Sequence, residues 1–182
     1  MVDPTIFLDL DGVIADFNNG FFAHHGIYPQ DLEHDRSQIW VLIGQTQNYW
    51  EELPLMSGAE DLWRRVSNYN VTVLTGCPRD GYDIAAAGKR KWVAKHWGPE
   101  IEVITCRSDD KQSYMRAPGD ILIDDWSDNI NRWNNAGGRG LHFLHARQAL
   151  DAFENLIAHG HGVDAVVEQL TGYPAPAIAG GD

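Results

Sequence analysis

Residues 5–12 read Thr-Ile-Phe-Leu-Asp-Leu-Asp-Gly, a short apolar run that ends in two aspartates two positions apart and then a glycine. Positions i and i+2 of a strand share a face, so Asp9 and Asp11 project together from the strand's carboxyl end. Gly12 lets the chain turn sharply away. Two carboxylates held this close repel each other, and the pair is costly unless a cation sits between them or one is protonated. Stability does not account for such a pair; chemistry does.

The rest of the chain supplies a frame for it. Five segments read as buried strands, at 5–10, 71–74, 101–105, 121–123 and 141–144. Helical patterns lie between the later ones. Ser57-Gly58-Ala59-Glu60 fits a capping box ahead of Leu62, Trp63 and Val66. A long helix is expected over 80–97, stopped at Gly98-Pro99, another over 127–136 and a last one over about 146–158. Strands alternating with helices predict an α/β fold with a parallel sheet covered on both faces.

Residues 17–56 break this rhythm; they are aromatic and punctuated by Pro29 and Pro54. A structureless loop of that length is improbable in a compact domain, so a small helical cap inserted after the first strand is expected. Asp16 stands where a helix would begin, as an N-cap. The expected organisation is a core of 1–16 and 57–171, the cap at 17–56, and a loosely held Pro/Gly/Ala-rich tail at 172–182.

Composition narrows the function. A formal net charge of −12 argues against a nucleic-acid polymer as main ligand, but not against a single nucleotide. No stretch reaches the roughly 20 apolar residues that span a bilayer, and Asp3 and Pro4 interrupt any signal segment, so a cytoplasmic protein without membrane contact is expected. Two cysteines, Cys77 and Cys106, are too few for a disulfide framework or a zinc site. The eight histidines lack carboxylate or cysteine partners at ligand spacing.

In open parallel sheets, ligands bind beyond the carboxyl ends of the strands. Here the first strand ends in Asp9 and Asp11, and the second in Thr75-Gly76-Cys77-Pro78. Arg107-Ser108-Asp109-Asp110-Lys111 follows the third. The fourth ends in Asp124-Asp125, with Asp128 and Asn129 close behind. Carboxylates, a hydroxyl and a lysine therefore converge from separate strands. Phosphoryl transfer uses this set. A carboxylate attacks phosphorus, and a hard cation such as Mg²⁺ takes oxygen ligands. A second acid protonates the leaving oxygen, and a hydroxyl and an ammonium hold the remaining oxygens.

The order Asp-x-Asp-Gly, Thr, Lys, Asp-Asp resembles the sequential motifs of the haloacid-dehalogenase superfamily, whose fold is a Rossmann-like sheet flanked by helices. That resemblance implies Asp9 as nucleophile, Asp11 as general acid/base, and Thr75, Gly76 and Lys111 as phosphate binders. It implies a Mg²⁺ site of Asp9, the Asp11 backbone carbonyl and Asp125. Asp124, where many members carry glycine, joins the metal group in a supporting role.

A narrower resemblance, over about residues 5–130, is to the 5′(3′)-deoxyribonucleotidases. It rests on Asp-Leu-Asp-Gly-Val-Ile-Ala-Asp-Phe (9–17), Trp40-Val41, Leu53-Pro54-Leu55 with Gly58-Ala59, Lys89 with Trp92-Val93 and Trp97-Gly98-Pro99, and Leu122-Ile123-Asp124-Asp125. It implies a second phosphate contact at Lys89 and a base pocket at Phe17, Trp40 and Val41. Trp40, Trp50 and Trp63 also fit a plain reading as the cap's small core. The chain departs from that family in three places. Thr75-Gly76-Cys77-Pro78 stands for Thr-Ser-Pro, Trp126 for arginine, and the loop between Cys106 and Lys111 is longer. These changes bear on base and sugar preference, and leave open whether Arg107 or Lys111 lies nearer the phosphate.

The leading expectation is a Mg²⁺-dependent phosphomonoesterase acting on (deoxy)nucleoside monophosphates through an aspartyl-phosphate, with a homodimer as the protein partnership considered. The alternatives are a phosphatase of another small ester (a sugar phosphate or a nucleic-acid 3′-phosphate end) and a non-catalytic nucleotide-binding protein of the same fold. Haloalkanoic-acid dehalogenation usually dispenses with the second aspartate, so Asp11 counts against it.

Overall fold

The computed structural model describes residues 4–159. Five parallel strands form one sheet in the order β3-β2-β1-β4-β5: β1 (Ile6–Leu8), β2 (Val71–Gly76), β3 (Val103–Cys106), β4 (Ile121–Asp124) and β5 (Arg139–His142). The order reverses at β1, which pairs with β2 through Leu8↔Val73 and with β4 through Leu8↔Ile123. The crevice for a ligand in such a sheet therefore opens above β1 and β4.

Relative to the sequence reading β1 is shorter, β3 and β5 are shifted, and β2 and β4 run further, to Gly76 and Asp124. β1 is only Ile6–Leu8, and β5 begins at Arg139 rather than 141, because ladder bonding extends back through Gly140. The pattern of apolar residues marks the buried stretch, and the ladder marks the strand.

Among the described residues six α-helices accompany the sheet: α1 (Phe17–His25), α2 (Ser37–Gln45), α3 (Ala59–Val66), α4 (Tyr82–His96), α5 (Ser127–Asn135) and α6 (Ala146–His159). Alternating side chains of the strands go to opposite faces. Ile6, Leu8, Val73, Ile121 and Ile123 meet Leu62, Val66, Trp92 and Phe153 from α3, α4 and α6. Phe7, Leu74, Cys106 and Leu122 meet Ile130 and Trp133 of α5. The Phe7 and Trp133 rings sit edge to face at 5.1 Å.

Asp16 caps α1, its Oδ1 accepting from the Asn19 backbone N–H at 3.0 Å. The capping box expected at Ser57 does not form. α3 begins instead from Gly58 in the left-handed region (φ 79°), with no side-chain cap. A Cβ on Gly58 would also strike Ala146, so close packing against the start of α6 fixes this residue.

Between β1 and α3 the chain makes α1, a 3₁₀ turn at Pro29–Leu32, α2 and a second 3₁₀ turn at Tyr49–Glu51. Both ends of this insertion are tied to the core and to each other. Ala15 bridges Leu55, the Asp16 N–H donates to the Pro54 carbonyl at 2.8 Å, and Trp92 Nε1 donates to the Leu53 carbonyl at 2.7 Å. The tail expected at 172–182 lies outside the described residues, and among those described no helix is long and apolar enough to cross a membrane.

Candidate active site

The carboxyl ends of β1, β2 and β4 and the 3₁₀ turn Ser108–Tyr114 after β3 bring Asp9, Asp11, Thr75, Lys111, Asp124 and Asp125 together, as their positions in sequence foreshadowed. Lys89 joins them from α4.

Asp9 is buried. Its Oδ1 accepts from the Leu10 backbone N–H at 2.8 Å and from Lys111 Nζ at 2.7 Å, so every contact the structure gives this carboxylate falls on one oxygen. Burial pushes its pKa up to about 7; Lys111 opposes the rise, while the charges of Asp124 and Asp11 add to it. Lys111 is itself buried and bridges Asp9 to Asp124 Oδ2, also at 2.7 Å. Burial alone would lower the ammonium's pKa, but the two carboxylates outweigh it and hold the value above the usual lysine range. Lys111 rather than Arg107 lies on the nucleophile candidate; Arg107 turns away and donates to the Cys77 carbonyl at 3.0 Å.

Asp11 pairs through Oδ2 with Lys89, which also donates to Thr75 Oγ1 at 3.1 Å and to the Gly76 carbonyl. The other oxygen, Asp11 Oδ1, is buried without a hydrogen-bond partner. Lys89, expected from the resemblance to reach a phosphate, is fully buried under the Trp50 ring, with Nζ 4.6 Å from the ring centroid. A tryptophan face over an ammonium is an attractive arrangement. Gly88 makes it feasible, because a Cβ there would lie 2.7 Å from Trp50 Cβ. Gly76 likewise admits the turn at Ser108, whose Cβ would stand 3.1 Å from a side chain at 76.

Asp124 and Asp125 divide sharply. Asp124 is wholly buried. Asp125 sits at the mouth, its carboxylate against Gly12, whose φ of 81° and lack of a side chain permit the approach. Asp125 is exposed as a residue, but its carboxyl end is crowded into the acidic cluster, and that local desolvation, followed by the charges of Asp9 and Asp124, raises it above the usual carboxylate range. One oxygen each of Asp9, Asp124 and Asp125 lie within 4.8 Å of one another, a cluster that could hold a cation.

The aromatic positions are redistributed. Phe17 is partly buried and packs with Phe21, Tyr49 and Trp50. Trp40 and Val41 are 46% and 56% exposed on α2, so Trp40 is not part of a core in the insertion. Trp63 is not either: it stacks on Trp97 at 4.8 Å, joining α3 to the end of α4. Trp50 is buried in the core, as read from sequence, and its ring also covers Lys89 at the site. The only advance signal of that contact was Gly88, a glycine inside a helix, which marks close approach. Cys77 and Cys106 are buried, and burial pushes the Cys106 thiol up to about 12, which leaves neither as a nucleophile.

No family model matches the chain. The mitochondrial 5′(3′)-deoxyribonucleotidase of Mus musculus is 28% identical over 146 residues, covering 68% of this chain and 64% of that protein. The Homo sapiens protein of the same name is 27% identical, over 68% of this chain and 62% of its own length. The chain thus matches a little under two-thirds of these relatives. A solved HAD-superfamily hydrolase from Ehrlichia chaffeensis superposes with a TM-score of 0.55 at 13% identity, over 86% of this chain and 99% of that one. The fold is that of the haloacid-dehalogenase superfamily, and the sequence similarity points the same way as the motifs.

Proposed function

We propose that the protein is a Mg²⁺-dependent phosphomonoesterase of nucleoside monophosphates that works through an aspartyl-phosphate on Asp9. The observation that carries this reading is the asymmetry of the two first-strand carboxylates. Asp9 is gripped by one oxygen, which leaves Oδ2 to attack phosphorus. Asp11 is gripped by one oxygen and keeps Oδ1 without a partner.

The residues fit a hard cation. The donors are carboxylate oxygens, the type Mg²⁺ prefers. The carboxyls of Asp9, Asp11, Asp124 and Asp125 outnumber the two ammonium groups of Lys89 and Lys111, so the cluster retains negative charge that a cation would offset. Asp9, Asp125 and the backbone carbonyl of Asp11 would hold it, and it would neutralise phosphoryl oxygens as the carboxylate approaches.

In the first half-reaction Asp9 Oδ2 forms a bond to phosphorus as the ester P–O bond breaks, and Asp11 gives its proton to the leaving oxygen. In the second, Asp11 takes a proton from water, whose oxygen attacks phosphorus as the bond to Asp9 breaks. Lys111, Thr75 and Gly76 would orient the phosphoryl group. Lys89 holds Asp11 in place and stands beside Thr75.

Phosphate release across 5′- and 3′-deoxynucleotides, ribonucleotides, sugar phosphates and p-nitrophenyl phosphate tests the reading. A preference for deoxynucleotides supports it. Turnover of the generic ester alone favours the second reading, a phosphatase of another small ester, for which the exposure of Trp40 and Val41 speaks. Trp40→Ala separates the two further. The KM for nucleotides should rise about 5–100-fold if the ring stacks on a base, with p-nitrophenyl phosphate unaffected. An equal effect on both substrates would place Trp40 outside the base pocket.

A metal prediction follows from the raised carboxyls. Protons compete with the cation for Asp9 and Asp125, whose folded pKa values lie above the ordinary range. Saturating Mg²⁺ should raise the melting temperature at pH 8 by roughly 5–10 °C, from about 2.7 kcal/mol at a hundred times Kd. At pH 5.5 the gain should be much smaller. Equal gains at both pH values would show that these carboxyls are not the ligands.

A further inference from the structure

We infer that Asn129, a buried amide in the first turn of α5, decides which of the two adjacent aspartates faces the cation. The inference deepens the phosphatase reading above and rests on its metal site.

A carboxylate has two oxygens and about four lone-pair directions. On Asp124 both oxygens are engaged, with one N–H of the Asn129 amide straddling them. Oδ1 accepts from the Trp126 backbone N–H at 2.8 Å and from Asn129 Nδ2 at 3.2 Å. Oδ2 accepts from Lys111 Nζ at 2.7 Å and from Asn129 Nδ2 at 3.1 Å. Asn129 is 2% exposed, and its orientation is set from behind, because Arg132 Nη1 donates to its Oδ1 at 3.2 Å. Its Nδ2 also reaches Ser108 Oγ at 3.1 Å, which ties α5 to the turn that carries Lys111. A relay thus runs Arg132–Asn129–Asp124–Lys111–Asp9, each link at hydrogen-bond distance.

The consequence is a division of labour between neighbours of identical chemistry. Asp124 spends its lone pairs on Lys111 and the α5 amide, and so orients the ammonium that grips Asp9. Asp125, on the next residue, keeps its carboxylate at the mouth beside Gly12. Asn129 is a positioning residue: its side-chain bonds go to Asp124, Ser108 and Arg132. An aspartate at 129 would lose the donor and set a third carboxylate against Asp124.

The test is calorimetric Mg²⁺ titration of the full chain, in the parent and in an Asn129→Ala background, each with Asp124→Asn. Asp125→Asn in the parent is the reference. Asp125→Asn should weaken binding at least tenfold and Asp124→Asn by less than about threefold. In the Asn129→Ala background Asp124 is released toward the ion, and the same Asp124→Asn change should cost at least fivefold. The kcat of Asn129→Ala on p-nitrophenyl phosphate should fall about 10–100-fold with KM little changed. Asn129→Ser, which keeps a donor, should recover part of kcat and serves if the alanine variant does not fold. The inference is overturned if Asp124→Asn weakens Mg²⁺ as much as Asp125→Asn, or costs the same in both backgrounds. Absence of phosphatase activity in the parent with the titration pattern intact would sink the enzymatic reading and sustain this one; absence of any Mg²⁺ binding would sink both.

Discussion

Asp9→Asn is expected to abolish phosphate release, by at least about a thousandfold, while leaving the protein folded and no less stable in chelator at pH 8. The loss follows from chemistry: an amide oxygen does not form the acyl-phosphate, and removal of a nucleophile is among the largest single effects known in enzymes. The retained stability follows from linkage. The folded-state pKa of Asp9 is raised to about 7 from an ordinary 3.8, so the folded protein binds this proton more tightly than the unfolded chain. Such a group is best accommodated below pH 3.8, and its ionisation costs stability progressively as pH rises through about 7. At pH 8 the parent holds an ionised, crowded carboxylate that asparagine does not have. The melting temperature of Asp9→Asn in chelator should therefore match or exceed the parent's. A variant that is inactive because it unfolds would refute the argument, and so would one that retains turnover.

The sequence made this site legible because strand-end chemistry is periodic. Asp9 and Asp11 come directly after β1, and Thr75, Lys111 and Asp124-Asp125 each lie at or just beyond the carboxyl end of an apolar run. Their convergence needed only a parallel sheet, and the sheet follows from the alternation of strand and helix. Contacts that depend on tertiary approach were not legible. Trp50 covers Lys89 because two helical segments meet at Gly88. Asn129 turns toward Asp124 because Arg132, one helical turn on, holds the far side of its amide. Trp40-Val41 illustrates the reverse case, where a motif carried by resemblance lands on an exposed helix face. The failed capping box at Ser57 has a similar origin: Gly58 adopts a left-handed conformation against Ala146, a contact nearly ninety positions away.

Lys111→Met is expected to cost both function and fold. The ammonium is the one cation that Asp9 and Asp124 share, at 2.7 Å from each, and it is almost wholly buried. Removing one member of a buried pair leaves uncompensated charge, a penalty of about 3–5 kcal/mol. Methionine fills the space of the lysine stem, so the loss reports charge rather than a cavity. The variant should relieve the penalty by keeping a proton on Asp9, whose pKa then rises beyond 7 because the opposing influence of Lys111 is gone. Its deficit should accordingly be small near pH 5 and grow through pH 8, the sense required of a carboxyl whose folded pKa is raised. Urea unfolding at the two pH values measures this directly, and a deficit independent of pH would mean that protonation of Asp9 does not relieve the loss of the ammonium. Turnover should fall with it, since a protonated Asp9 does not attack phosphorus and no ammonium remains to set its Oδ1. Mg²⁺ should restore more stability to Lys111→Met than to the parent, because a cation and the lysine compensate the same carboxylates.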